Sequence, residues 1–101
     1  MYKITKYFTE ECTSCKNITN ILNKYNDIAE VFNIDCNAVP QSFLSKTGIM
    51  GVPTVILTYE TKDTLREVGR FVGPKSDSQY KEWLESSIER DKKEHGKTVN
   101  S

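Results

Sequence analysis

The sequence predicts an α/β domain with a four-stranded mixed sheet and helices packed on it, in the order β-α-β-α-β-β-α. Three observations support this. The apolar spacing of residues 2–36 reads as strand, helix, strand. The run "VPTVILTY" is apolar on both parities, as a strand buried on both faces must be. Across the polar turn "ETKDT" lies "LREVGRFVG", a second strand placed to pair with it as an antiparallel hairpin.

Each element has its own reason. Tyr2 to Phe8 alternates apolar and polar, with Tyr2, Ile4 and Phe8 on one parity. From Cys15 the apolar positions are Ile18, Ile21, Leu22 and Tyr25, a helical spacing with Lys16, Asn20, Asn23 and Lys24 between them. "NDI" breaks that helix, and "EVFNIDC" supplies residues that suit a pleated, half-buried surface. A connection of this length makes a right-handed crossover, so the first two strands should be parallel neighbours with the helix on one face. "AVPQSFLSKTGI" carries Phe43 and Leu44 on a short helix stopped at Gly48, a residue that takes the left-handed conformation readily. Gly69 inside the fourth strand marks a bulge or a close backbone approach. Ser76 and Gln79 have the spacing of a capping box, and Tyr80, Trp83, Leu84 and Ile88 form the apolar stripe of a last helix. "RDKKEHGKTVNS" reads as charged and then structureless, giving one domain over 1–92 and a frayed tail over 93–101.

The chain's 101 residues suffice for one core, and 14 Lys plus Arg balance 14 Asp plus Glu. No global field is left to hold nucleic acid or an anionic membrane, so partners are recognised by local shape. There is no apolar run of the roughly 18 to 20 residues that a membrane span needs, and "MYKITKYFTEE" has no apolar signal core. The expectation is a cytoplasmic monomer. Three cysteines are too few for the disulfide framework of a small secreted domain.

Cys12 and Cys15 are the chemically informative pair. At i and i+3 near a helix start, their Cα atoms are about 5 to 6 Å apart, within reach of a disulfide. Cys15 shares the buried stripe of Ile18 and Leu22, whereas Cys12 sits at the helix mouth. Unpaired N–H groups and the positive end of the helix dipole stabilise a thiolate there and lower its pKa below about 8.5. Cys12 is therefore the expected nucleophile and Cys15 the resolving thiol. Glu10 and Glu11 oppose ionisation of Cys12, while Lys16 favours it. No metal is expected, because zinc wants about four ligands and Cys36 and His95 are the only other candidates. His95 reads as a solvated tail residue. Cys36 reads as a small buried hydrophobe, with a regulatory thiol as the sharper alternative.

The chain resembles the thioredoxin family in "CTSC" after a strand ending in Phe8, Lys16 after the second cysteine, "TGIMGVPTVIL", and "VGRFVGPKSDSQYKEWL". The resemblance runs to about Ile88 and implies a thioredoxin-like fold with a redox-active Cys12–Cys15 disulfide and no bound cofactor. It further implies a cis bond between Val52 and Pro53, with Val52, Pro53 and Thr54 meeting substrate backbone. The departures are specific. Thr13 and Ser14 replace the family's Gly-Pro, Glu11 replaces the tryptophan before the first cysteine, and the family's buried acid falls on Tyr7, a poor proton acceptor at neutral pH. The chain also starts at the strand leading into the cysteines, a layout similar to glutaredoxins but without their Cys-Pro-Tyr-Cys or double glycine.

The implied function is a dithiol reductase of protein disulfides. Its electrons would come from an NADPH-dependent flavoprotein reductase or from glutathione, since the chain has no dinucleotide glycine motif. The alternatives are an adaptor module of the same fold, a glutathione-dependent glutaredoxin-like reductase, and an oxidant or isomerase using the same thiols.

Overall fold

The structure, a computed structural model, describes residues 1–11, 23–25, 27–73 and 75–99. Four strands, β1 (Tyr2–Phe8), β2 (Glu30–Asp35), β3 (Thr54–Glu60) and β4 (Leu65–Val72), form one sheet in the order β2-β1-β3-β4. β1 and β2 are parallel, from Lys3 opposite Glu30 to Phe8 opposite Asp35. β3 runs antiparallel to β1, from Tyr2 opposite Tyr59 to Tyr7 opposite Thr54, and β4 closes a hairpin on β3. The sheet is thus mixed, with β1 and β3 central. Thr54 through Leu57 are all buried, which is why that run is apolar on both parities.

Two faces follow from the alternation. Ile4, Val55, Leu57 and Phe71 pack with Tyr80, Leu84 and Ile88 of helix α2 (Asp77–Val99). Phe71 is the centre of that layer, its ring 4.8 Å from Tyr80 and 4.7 Å from Trp83. Tyr25 and Ala29, which bring the crossover back to β2, pack on the same face. The opposite face carries Tyr7, Leu44, Ile49 and Ile56 under helix α1 (Gln41–Thr47). With seven residues, α1 is only about 10 Å long and covers one end of that face.

α1 ends as its sequence dictates. Gly48 has φ 77°, its N–H reaches Ser45 O at 3.2 Å, and Ile49 N–H reaches Leu44 O at 2.9 Å while both side chains join the core. Leu44 is buried, whereas Phe43 on the same helix remains 40 % exposed. The bulge expected at Gly69 is present, and side chains of α2 pack against it. The register shifts between Leu57 (opposite Gly69) and Thr58 (opposite Glu67), and a Cβ on Gly69 would meet the Ser87 and Trp83 side chains of α2 at ordinary contact distance. The capping box is formed: Gln79 N–H donates to Ser76 Oγ at 3.3 Å and Ser76 N–H to Gln79 Oε1 at 2.8 Å.

One expectation is overturned. The charged end "RDKKEHGKTVNS", expected to lose structure and fray over 93–101, is helical through Val99. Its Lys and Glu are good helix formers with a Glu89–Lys93 pair at 3.4 Å, and Asp91 faces inward rather than to solvent. Asp91 accepts from Arg66 Nη2 at 2.8 Å, Arg66 Nε at 3.1 Å and the Tyr2 hydroxyl at 2.7 Å, fastening the helix to both β4 and β1. The reading of the His95 side chain lies outside what is described, as do most of the helix expected from Cys15 to Tyr25 and all of its cysteine end.

Candidate functional site

Cys12, Cys15 and Lys16 lie outside the described residues, so the site is built from what flanks them. β1 delivers the chain to Phe8, and Thr9, Glu10 and Glu11 follow, the two carboxylates exposed. Because Tyr7 pairs with Thr54, the antiparallel register sets Pro53 beside the end of β1, four residues ahead of Cys12. The parallel register sets the end of β2 on the other side, with Asp35 opposite Phe8. Carboxyl ends of neighbouring parallel strands are where open α/β sheets place their sites.

The segment from Gly48 to Thr54 is pinned by its carbonyls. Thr54 Oγ1 donates to Gly51 O at 2.6 Å, and Gly73 N–H donates to Pro53 O at 2.9 Å. The Val52–Pro53 peptide bond is cis. Pro53 and Thr54 are buried, Val52 is half-buried, and Met50 projects into solvent with 97 % exposure. A Cβ on Gly51 would stand 3.6 Å from Val72 Cγ1, so the loop passes over the exposed end of β4.

Of the residues expected to tune the thiols, Glu11 is an exposed turn residue and Tyr7 is buried. Tyr7 lies on the α1 face, with Leu44, Ile49 and Ile56, and burial raises its phenol pKa further from neutrality. The face shared with the returning crossover instead receives Lys6, 3 % exposed, its Nζ 5.0 Å from the centre of the Phe8 ring. Burial lowers the pKa of that ammonium group. A buried ionisable side chain at this end of β1 went unread in the sequence, yet the signal was present: Lys6 shares the parity of Tyr2, Ile4 and Phe8.

Cys36 begins a short 3-10 turn (Cys36–Ala38) rather than ending β2, because Asp35 caps that turn by accepting from Asn37 N–H at 2.9 Å. Its thiol is half-buried against the Tyr7 cluster, and burial, then the Asp35 charge, push its pKa up. That is the setting of an unreactive thiol. Among the described residues, no three His, Cys, Asp or Glu side chains cluster as a metal site.

The family model for thioredoxin matches residues 2–86. The chain belongs to the thioredoxin family. Thioredoxin family and fold together support a function of the thiol–disulfide oxidoreductase type. Among solved structures, the chain is similar to a mutant thioredoxin from Halobacterium salinarum, at 23 % identity and TM-score 0.69 over 85 % of this chain and 74 % of that one. A thioredoxin from Thermus thermophilus gives 17 % identity and TM-score 0.71 over 86 % and 73 %. A thioredoxin from Trichomonas vaginalis gives 17 % and 0.69 over 84 % and 78 %. At these identities the structures speak to the thioredoxin fold alone. No curated protein matches the chain. Among the described residues, no helix of this thioredoxin-family domain is long and apolar enough to cross a membrane.

Proposed function

We propose that this protein reduces protein disulfides by dithiol exchange through Cys12 and Cys15. The observation that supports the reading best is the register that sets Val52, Pro53 and Thr54 beside the end of β1, from which the chain runs into "CTSC". A substrate segment laid along Val52 would bring its disulfide to the residues that follow Phe8.

The exchange balances in two steps. The Cys12 thiolate attacks one sulfur of the substrate disulfide, forming a mixed disulfide and releasing the first substrate thiolate. The Cys15 thiolate then attacks the Cys12 sulfur, closing the Cys12–Cys15 disulfide and releasing the second. Two electrons pass to the substrate, whose two thiolates take protons from solvent. An NADPH-dependent flavoprotein reductase, or two glutathione molecules oxidised to their disulfide, restores the dithiol. The protein works as a cytoplasmic monomer with no bound cofactor.

Insulin reduction driven by dithiothreitol tests this reading, comparing wild type with Cys12→Ser and Cys15→Ser. Wild type should accelerate precipitation of the insulin B chain, and both variants should fall to the uncatalysed rate. Equal rates in all three proteins would overturn it.

A further inference from the structure

Arg70 makes a set of contacts that the exchange chemistry does not require. On β4 opposite Ile56, it turns its guanidinium toward the α1 side of the sheet. Glu67 holds the fork at two points, Nε to Oε2 at 2.8 Å and Nη2 to Oε1, a pairing that fixes the guanidinium plane. The hydrogen bond and charge of Arg70 lower the Glu67 pKa, keeping the carboxylate ionised. Remaining donors go to backbone: Nη2 to Thr47 O at 3.1 Å and Nη1 to Gly48 O at 3.4 Å.

Those two carbonyls end α1. An α-helix leaves its last carbonyls without intrahelical partners, and a cation is favoured there by the dipole. Gly48 fits the contact through its φ of 77°, a conformation that side-chain-bearing residues rarely adopt. Five residues later the chain reaches Pro53, whose own carbonyl is held by Gly73. The loop is thus tied at both ends, by Arg70 of β4 at its start and by Gly73, the residue after β4, at its finish, with Val52 between.

We infer that Arg70, oriented by Glu67, is a positioning residue that sets where the Val52 backbone is presented to polypeptide substrates. The inference rests on the disulfide-reductase reading. Arg70 acts on the loop backbone, so its loss should weaken recognition of an extended polypeptide and spare the intrinsic reactivity of the dithiol.

The test compares Arg70→Met, which keeps the aliphatic stem, with Arg70→Lys and Glu67→Gln. Two substrates are used: insulin, and the small aromatic disulfide 5,5′-dithiobis(2-nitrobenzoate), which presents no peptide backbone. Arg70→Met should raise KM for insulin by about tenfold with kcat little changed, the scale of effect expected when a binding element shifts by a fraction of an ångström. Reduction of the small disulfide, and alkylation of the reduced dithiol by iodoacetamide, should change less than twofold. Arg70→Lys should recover part of the KM, and Glu67→Gln should show a smaller rise in the same direction. If Arg70→Met fails to fold, the Lys and Gln variants give the same split. Unchanged insulin KM in the folded variants, or equal losses on both substrates, would overturn the inference while leaving the reductase reading intact. A wild type inactive on both disulfides would overturn the reductase reading itself.

Discussion

Lys6 carries an ammonium group into the covered face of the sheet, and burial makes the proton easier to lose in the folded protein than in the unfolded chain. Between the depressed folded pKa and the unfolded value near 10.4, the unfolded chain binds more protons. Stability therefore rises with pH through that window. Lys6→Met removes the titration, so the stability difference between wild type and variant should shift in favour of wild type from pH 7 to pH 10 in urea unfolding. A pH-independent difference would contradict the buried-ammonium account. Lys6 was legible as a parity position, and the charge itself hid it. Arg70 was not legible at all, because its partners Thr47 and Gly48 come from another element, 23 and 22 residues earlier.

At the scale of elements, periodicity and punctuation located the strands and helices of the described chain. Gly48 stops α1 for the stated reason, and the Ser76–Gln79 box starts α2. Ser76→Ala should cost about 1 kcal/mol, measured as a shift in urea midpoint at unchanged m-value. The end of α2 was misread because a charged run with Gly96 carries no apolar stripe, and the stabilising contact of Asp91 is ionic and long-range. Asp91→Ala leaves Arg66 and Tyr2 without their shared acceptor and should cost about 3 kcal/mol. For a domain of this size that lowers Tm by roughly 10 to 20 °C, and Tyr2→Phe should lower it by less. An Asp91→Ala Tm within a degree or two of wild type would show that the last turns are not fastened there.

Across the whole molecule, the two faces divide the labour. α2 seals one side, where Ile4, Val55, Leu57, Tyr80 and Leu84 are almost wholly excluded from water. The other side is half-covered by α1, and polar groups manage the remainder: Lys3 pairs with Glu60, and Glu67 pairs with Arg70. Between them the sheet brings together, at one end, the exit of β1, the end of β2 and the loop from Gly48 to Thr54. In the sequence these were three separate stretches, and their meeting was readable through the family resemblance and the parallel crossover. The proposed exchange uses that end of the sheet, with Cys12 as the attacking thiol and Cys15 as the resolving one.

Trapping tests that assignment most directly. Cys15→Ser, reduced and then mixed with oxidised insulin, should accumulate a mixed disulfide at Cys12 that peptide mapping locates, while Cys12→Ser should accumulate none. Capture through Cys15 or Cys36, or no capture by either variant, would contradict the account.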